Sequence, residues 1–253
     1  MKKNYSSLYL YLILTLIYLP IIIVVIYSFN SSRMATIWQG FSFKWYKKLF
    51  SNHIIAEALK NSLVIVVTSC LMSAVIGTAG AVSLQKNTSF VKYIERIIFL
   101  PLMIPEIILG MAFLAFFTLL KIKTGMLTLI IAHCSFCIPY IFLMVKASLS
   151  GIDPTLCDAA RDLGASAAKS FWTIEFPLIL PSILSGIFLA FAMSMDDVVI
   201  SFFVTGAATN TLPIKIYSQM KTGVTPEINA LCTLMLLVTS VMVILSVLLR
   251  KNK

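Results

Sequence analysis

Six stretches of this chain are apolar without interruption for about the length that crosses a bilayer, and no other feature constrains the fold as strongly. They cover 8–27, 63–84, 97–120, 126–149, 178–204 and 231–249. A hydrocarbon core about 30 Å thick takes roughly 20 helical residues at 1.5 Å rise each. Of 253 residues, 59% are hydrophobic and 12% charged, and the mean hydropathy of +0.96 exceeds what one soluble core can hide. Strands of a membrane barrel would be shorter and would alternate in polarity, which these runs do not. The expectation is an all-α integral membrane protein with six transmembrane helices, a single membrane domain over 1–253.

The first run follows Lys2 and Lys3. At about 20 residues, and without a small-x-small cleavage site, it reads as a retained helix rather than a signal peptide. An even number of spans places both termini on one side, where Arg250, Lys251 and Lys253 join the N-terminal lysines; that side is expected to be cytoplasmic. The net charge of +10 is dispersed along the chain, which suits contact with anionic lipid and not nucleic acid. Four of the five cysteines fall inside the apolar runs, so no disulfide framework is implied. His133, Cys134 and Cys137 supply three candidate ligands without a fourth on an apolar helix, which reads as packing and not a metal site.

The pattern GxxxxGK[ST] is missing, so this chain cannot itself cradle ATP phosphates. No Ser/His/Asp set is positioned by the sequence, and His53 and His133 lack acidic neighbours along it. Neither enzymatic chemistry nor a bound cofactor is expected of the chain alone.

The polar interruption at 151–177 reads as two short helices. Asp153 is a fitting N-cap with Pro154 at the first helical position, and Asp158, Ala159, Ala160, Arg161 and Asp162 continue the helix until Gly164 ends it in a left-handed conformation. A second helix is expected from Ser166 to about Trp172, with Pro177 resetting the chain for the fifth span. Ala159 and Ala160 leave room for another surface to approach closely. Asp158-Ala159-Ala160, Gly164, Ile174, Phe176 and Pro177 resemble, at matching spacing, the EAA motif of MetI-like permease subunits of bacterial ABC importers, with Asp for Glu and Phe for Leu. The resemblance implies a type I ABC importer permease fold in the bacterial inner membrane. It further implies that 151–177 is a cytoplasmic coupling loop docking on a partner ATPase, which uses the ATP and magnesium, and that both termini are cytoplasmic.

Three carboxylates lie within the apolar runs: Glu106 in the third, Asp196 and Asp197 in the fifth. An Asp near a helix centre costs roughly 2.5–3.5 kcal/mol to insert, so such groups face protein or a watery path. Pro101 and Pro105 are expected to kink the third helix and make room for Glu106. Ser182, Gly186, Ala190 and Ser194 recur every four residues, and on a regular helix Asp197 falls on that protein-facing stripe while Asp196 points about 100° away. One of the pair then meets substrate and the other is structural. Regular helices would also stagger Asp196 and Glu106 in depth, about 27 and 14 Å along their respective axes. Staggered acids suit a long, multiply charged cation such as a polyamine; an interhelical anchor is the alternative for each. Ser73, Gly77 and Ala81 form a similar stripe in the second span, for which helix packing is sufficient.

FNSSR at 29–33, WQGF at 38–41, KWY at 44–46, FCIPY at 136–140, SMDDVVISFFVTG at 194–206 and LPIKIYS at 212–218 resemble the permeases of spermidine and putrescine importers over nearly the whole chain. That resemblance implies a second, homologous permease subunit, two ATPase subunits and an external polyamine-binding protein as partners. From their placement in the apolar runs, Glu106, Asp196 and Asp197, with Ser194, are expected to line the substrate path, together with Trp45. Trp45 matches a family aromatic near the outer face and is open to two readings, substrate contact or interfacial anchor. The competing functions are an ABC permease for another cationic or small solute, a stand-alone cation-coupled secondary transporter that needs no ATPase, and a scaffold that transports nothing.

Overall fold

The apolar runs fold as helices, but proline and aspartate break two of them. The computed structural model describes residues 2–33, 37–85, 88–207, 209–223 and 225–251; the side chains of Lys2, Lys3, Arg250 and Lys251, and Lys253 entirely, lie outside them. The helices are α1 (Lys2–Ser28), α2 (Lys44–Phe50), α3 (His53–Ser83), α4 (Ser89–Met103), α5 (Glu106–Leu119) and α6 (Met126–Leu149). They continue with α7 (Pro154–Asp162), α8 (Ala167–Ser170), α9 (Phe176–Asp196), α10 (Val199–Val204), α11 (Leu212–Thr222) and α12 (Pro226–Lys251). Among the described residues five helical segments are long and apolar enough to cross a membrane, and a sixth is obtained if α4 and α5 count as one span.

That pair corrects the expected third span. It is not one kinked helix but two, bent by 105° across Ile104 and Pro105. Pro101 is carried within α4, whereas Ile104, immediately before Pro105, is extended at φ −82°, ψ 132°. A residue before proline is pushed out of the α region by the ring's Cδ, and here two consecutive extended residues complete the break.

The second correction concerns Pro177. It does not separate the loop helix from the fifth span: α8 passes through a π turn, Phe171–Glu175, directly into α9. A proline within an α-helix clashes with the carbonyl four residues earlier and leaves it without a donor, and a wider i→i+5 turn at that point relieves both problems.

Residue contacts group the chain into two units. One comprises 1–58 and 214–237. In it Trp45 is 5% exposed, and its indole N–H donates to the Asn30 carbonyl at 2.7 Å. The buried Asn30 side chain holds the preceding loop, donating to Ile37 O and accepting from the Gln39 amide. Glu227 receives Lys48 at 2.6 Å and the Asn52 side-chain amide at 3.1 Å.

The other unit comprises 59–213 and 238–253, and α6 runs through its core. Both small-residue stripes pack on α6. A Cβ on Gly77 would stand 3.2 Å from the Ile138 carbonyl, and one on Gly186 would stand 3.1 Å from Ile141 Cα. Ser185 on α9 donates to Ser246 O on α12 at 2.6 Å, and Lys146 on α6 pairs with Glu95 on α4. Gly110 on α5 lies so close to α10 that a Cβ there would fall 2.6 Å from the Phe203 ring.

Candidate functional site

The site is built around the point where the fifth apolar run stops being a helix. α9 ends at Asp196; Asp197 is extended at φ −67°, ψ 118°, and α10 begins two residues later. This corrects the regular-helix premise, under which Asp197 continues the Gly186 stripe. The Asp197 carboxylate accepts the amides of Ile200 (3.2 Å) and Ser201 (2.8 Å) and the Ser201 hydroxyl (2.7 Å), so it satisfies N–H groups that the start of a helix leaves open. A carboxylate followed by the β-branched Val198, Val199 and Ile200 is locally suited to this, because it offers the backbone an alternative to continued helix.

His133 on α6 completes the junction. Only 2% exposed, it places Nδ1 2.6 Å from Ser194 Oγ near the end of α9 and Nε2 2.9 Å from Ser201 Oγ on α10. Nε2 also lies 3.5 Å from Asp197 Oδ2. The lack of acidic neighbours expected for His133 is thereby corrected: the fold supplies one from 64 positions away, beyond the reach of local sequence. Ser201, His133 and Asp197 do form a Ser/His/Asp set, another correction, yet Ser201 is fully buried and donates directly to Asp197. A hydroxyl so engaged has no access to a substrate carbonyl, so the set braces the fold.

Asp196 is exposed, and together with Glu106 and Asp197 it lines a cavity of about 470 Å³. Phe136, Tyr140 and Thr239 contribute to the wall, and no Lys or Arg lines it among the described residues. Asp196 and Glu106 form no ion pair among the described residues. The bend before α5 places Glu106 at that helix's first turn, and the break after α9 places Asp196 at that helix's last residue. Two interruptions therefore bring the carboxylates to one cavity, in place of acids spread along two unbroken spans. Trp45 is not among the lining residues; Lys44 and Lys48 stand over its ring at 5.3 and 5.5 Å, so its face already has cations of its own.

The 151–177 loop forms a second feature. Asp153 caps α7, accepting the Thr155 amide at 2.9 Å, and that bond holds its carboxyl below the usual carboxylate range. Gly164 follows at φ +86°, the left-handed geometry expected of it. Asp158 and Ala159 are exposed, and Ala160 and Ile174 are half-buried. Leu163 is 90% and Trp172 61% exposed, so this polar loop presents large apolar groups outward.

Residues 73–252 match the family described as "Binding-protein-dependent transport system inner membrane component". The chain belongs to that family. It is a multi-pass membrane permease, a channel subunit of a transport system. It is 41% identical over 249 residues, 98% of the chain and 92% of the relative, to the spermidine/putrescine transport system permease protein PotC of Escherichia coli strain K12. It is 39% identical over 230 residues, 88% of the chain and 82% of the relative, to the putrescine transport system permease protein PotI of the same strain. Among solved structures, it aligns with a bacterial alginate ABC transporter in complex with a periplasmic protein carrying an alginate pentasaccharide, at a TM-score of 0.70 and 17% identity over 97% of this chain and 92% of that one. The permease thus has the fold of ABC importer membrane subunits.

In the sequence of the permease Glu106, Asp196 and Asp197 stand out as charges in apolar runs, whereas His133 does not. A lone histidine in an apolar run carries no sign of its partners, and only the seven-residue spacing of Ser194 and Ser201 around the aspartates hints at a shared ligand.

Proposed function

We propose that the chain is one of two permease subunits of an ATP-driven importer for the polyamines spermidine and putrescine. The observation that carries this reading is the cavity lined by Glu106, Asp196 and Asp197 beside Phe136 and Tyr140, with no cationic side chain among its described lining. A polyamine is a chain of methylenes punctuated by ammonium groups. Carboxylates in a low-dielectric surrounding attract the ammoniums strongly, aromatic faces attract both ammonium and methylene, and an uncharged solute leaves the acids unpaired. The names borne by relatives in Escherichia coli point the same way.

In this reading the partners are a homologous permease, two ATPase subunits and an external binding protein that delivers the polyamine. Both termini and the 151–177 loop are cytoplasmic. Asp158, Ala159, Ala160, Gly164, Ile174 and Pro177, with Leu163 and Trp172 exposed beside them, form the surface that seats on an ATPase. ATP and magnesium act there, on the partner. Closure of the ATPases moves the loop, and because α8 continues through the π turn into α9, the movement passes along α9 toward Asp196. Alternating access to the acidic cavity follows.

The test is uptake of radiolabelled putrescine and spermidine by cells lacking their own system, with the full set of transporter genes and with this chain omitted. Uptake that depends on the chain is the expected result; an assembled complex that moves neither polyamine overturns the reading.

A further inference from the structure

Among the described residues no ion pair holds Asp196, the more exposed of the two aspartates at the cavity, yet it is the last residue before a break that is tied on both sides. The tie is His133, and its bonds have a direction. Ser201 donates its hydroxyl proton to Asp197, so its oxygen is left to accept, and His133 Nε2 is the donor that meets it. A neutral ring with its proton on Nε2 presents Nδ1 as an acceptor, and the Ser194 hydroxyl at 2.6 Å donates to it. One imidazole thus connects Ser194, two residues before Asp196, to Ser201, five residues after it. Only Asp197 and Val198 lie between the two helices, too short a segment to reorient independently of its ends.

We propose that His133 is a positioning residue for transport: by clamping Ser194 and Ser201 it fixes the direction in which Asp196 presents its carboxylate to the cavity. The proposal rests on the polyamine reading of that cavity. His133 touches no substrate, since it is buried behind the junction and does not line the cavity. Its ring leans on Phe136 with centroids 5.1 Å apart, and Phe136 does line the cavity, so the same ring supports a second wall residue. Ser194 stands on one side of the break and Ser201 on the other, and the His133 ring bonds to both.

The experiment measures polyamine uptake by assembled complexes carrying His133→Phe, His133→Gln, Asp196→Asn and the His133→Phe/Asp196→Asn pair. Phenylalanine keeps a ring of similar size and removes both hydrogen bonds, whereas glutamine retains a donor for Ser201. His133→Phe is expected to lower uptake about fivefold, the low end of what two lost hydrogen bonds amount to, and His133→Gln to recover part of it. Asp196→Asn is expected to lower uptake about tenfold, and the pair to match Asp196→Asn alone rather than reach the about fiftyfold loss of independent effects. Packing defects at His133 would multiply with the Asp196 loss and would not be rescued by glutamine. Unchanged uptake in His133→Phe, multiplied losses in the pair, or failure of both His133 variants to assemble overturns the proposal. If Asp196→Asn itself transports normally, the reading of the cavity fails instead, whatever the histidine variants do.

Discussion

Asp196 and Asp197 are consecutive residues with opposite surroundings: the helix ends between them, so one carboxylate is exposed at the cavity while the other, with its side chain 6% exposed, is bonded to Ile200 and Ser201. The division of labour that charge placement alone left open follows from this one backbone step. Asp196 is available to a mobile cation; Asp197 is engaged by backbone amides and a hydroxyl.

Neutralising the two should therefore differ in kind. Asp197→Ala removes the acceptor for two amides and a hydroxyl and is expected to destabilise the junction by about 2 kcal/mol. It should lower the melting temperature of the purified permease complex, read by a thermal-shift assay in detergent. Asp196→Ala should leave that temperature within about a degree or two of the natural chain, because no ion pair to Asp196 among the described residues is lost.

Gly164 provides a test at the loop. It sits at φ +86°, and no neighbouring atom lies within 4 Å of the place a Cβ would take, so any penalty of substitution there is conformational and not a clash. Gly164→Val is expected to cost about 1–2 kcal/mol locally and to distort the turn between α7 and α8. ATP hydrolysis by the complex should persist while polyamine uptake falls, a change in the ratio of molecules imported to ATP consumed. Full uptake at the natural ratio would remove the loop from the coupling path.

Trp45 is expected to act through its own unit. Trp45→Phe leaves the Asn30 carbonyl without the indole N–H, a change worth about 1–3 kcal/mol for a buried acceptor. Uptake of putrescine and spermidine should fall by the same factor, following the amount of assembled complex. A change in preference between the two would place Trp45 in substrate contact.

Gly110 sets the approach of α5 to α10. Gly110→Ala puts a methyl 2.6 Å from Phe203 and 3.3 Å from Ile200 Cα, and is expected to destabilise by about 1–3 kcal/mol as the helices part. Because α5 carries Glu106, uptake should fall more than the thermal shift alone accounts for, and Phe203→Leu, which shortens the opposing ring, should restore part of it.

Length and polarity made the helices legible, because an uninterrupted apolar run has few alternatives to a membrane span. The left-handed Gly164, the Asp153 cap and the two small-residue stripes were legible for local reasons, each depending on a few neighbouring side chains. The breaks were not. Proline at 105 and proline at 177 look alike in sequence, yet one stands at a helix break and the other rides a π turn. His133 was hidden for a related reason: its partners Ser194, Asp197 and Ser201 are brought to it only by the packing of α6 against α9 and α10.

Passage of polyamines along the acidic cavity is testable by reconstitution. Complexes of the natural chain and of Asp196→Asn/Glu106→Gln, with their ATPase and binding-protein partners in proteoliposomes, would be given radiolabelled spermidine and ATP. ATP-dependent accumulation by the natural complex, unaffected by excess diol of the same length and reduced at least about tenfold in the variant, is the predicted result. Equal accumulation by both complexes would remove Asp196 and Glu106 from the polyamine path.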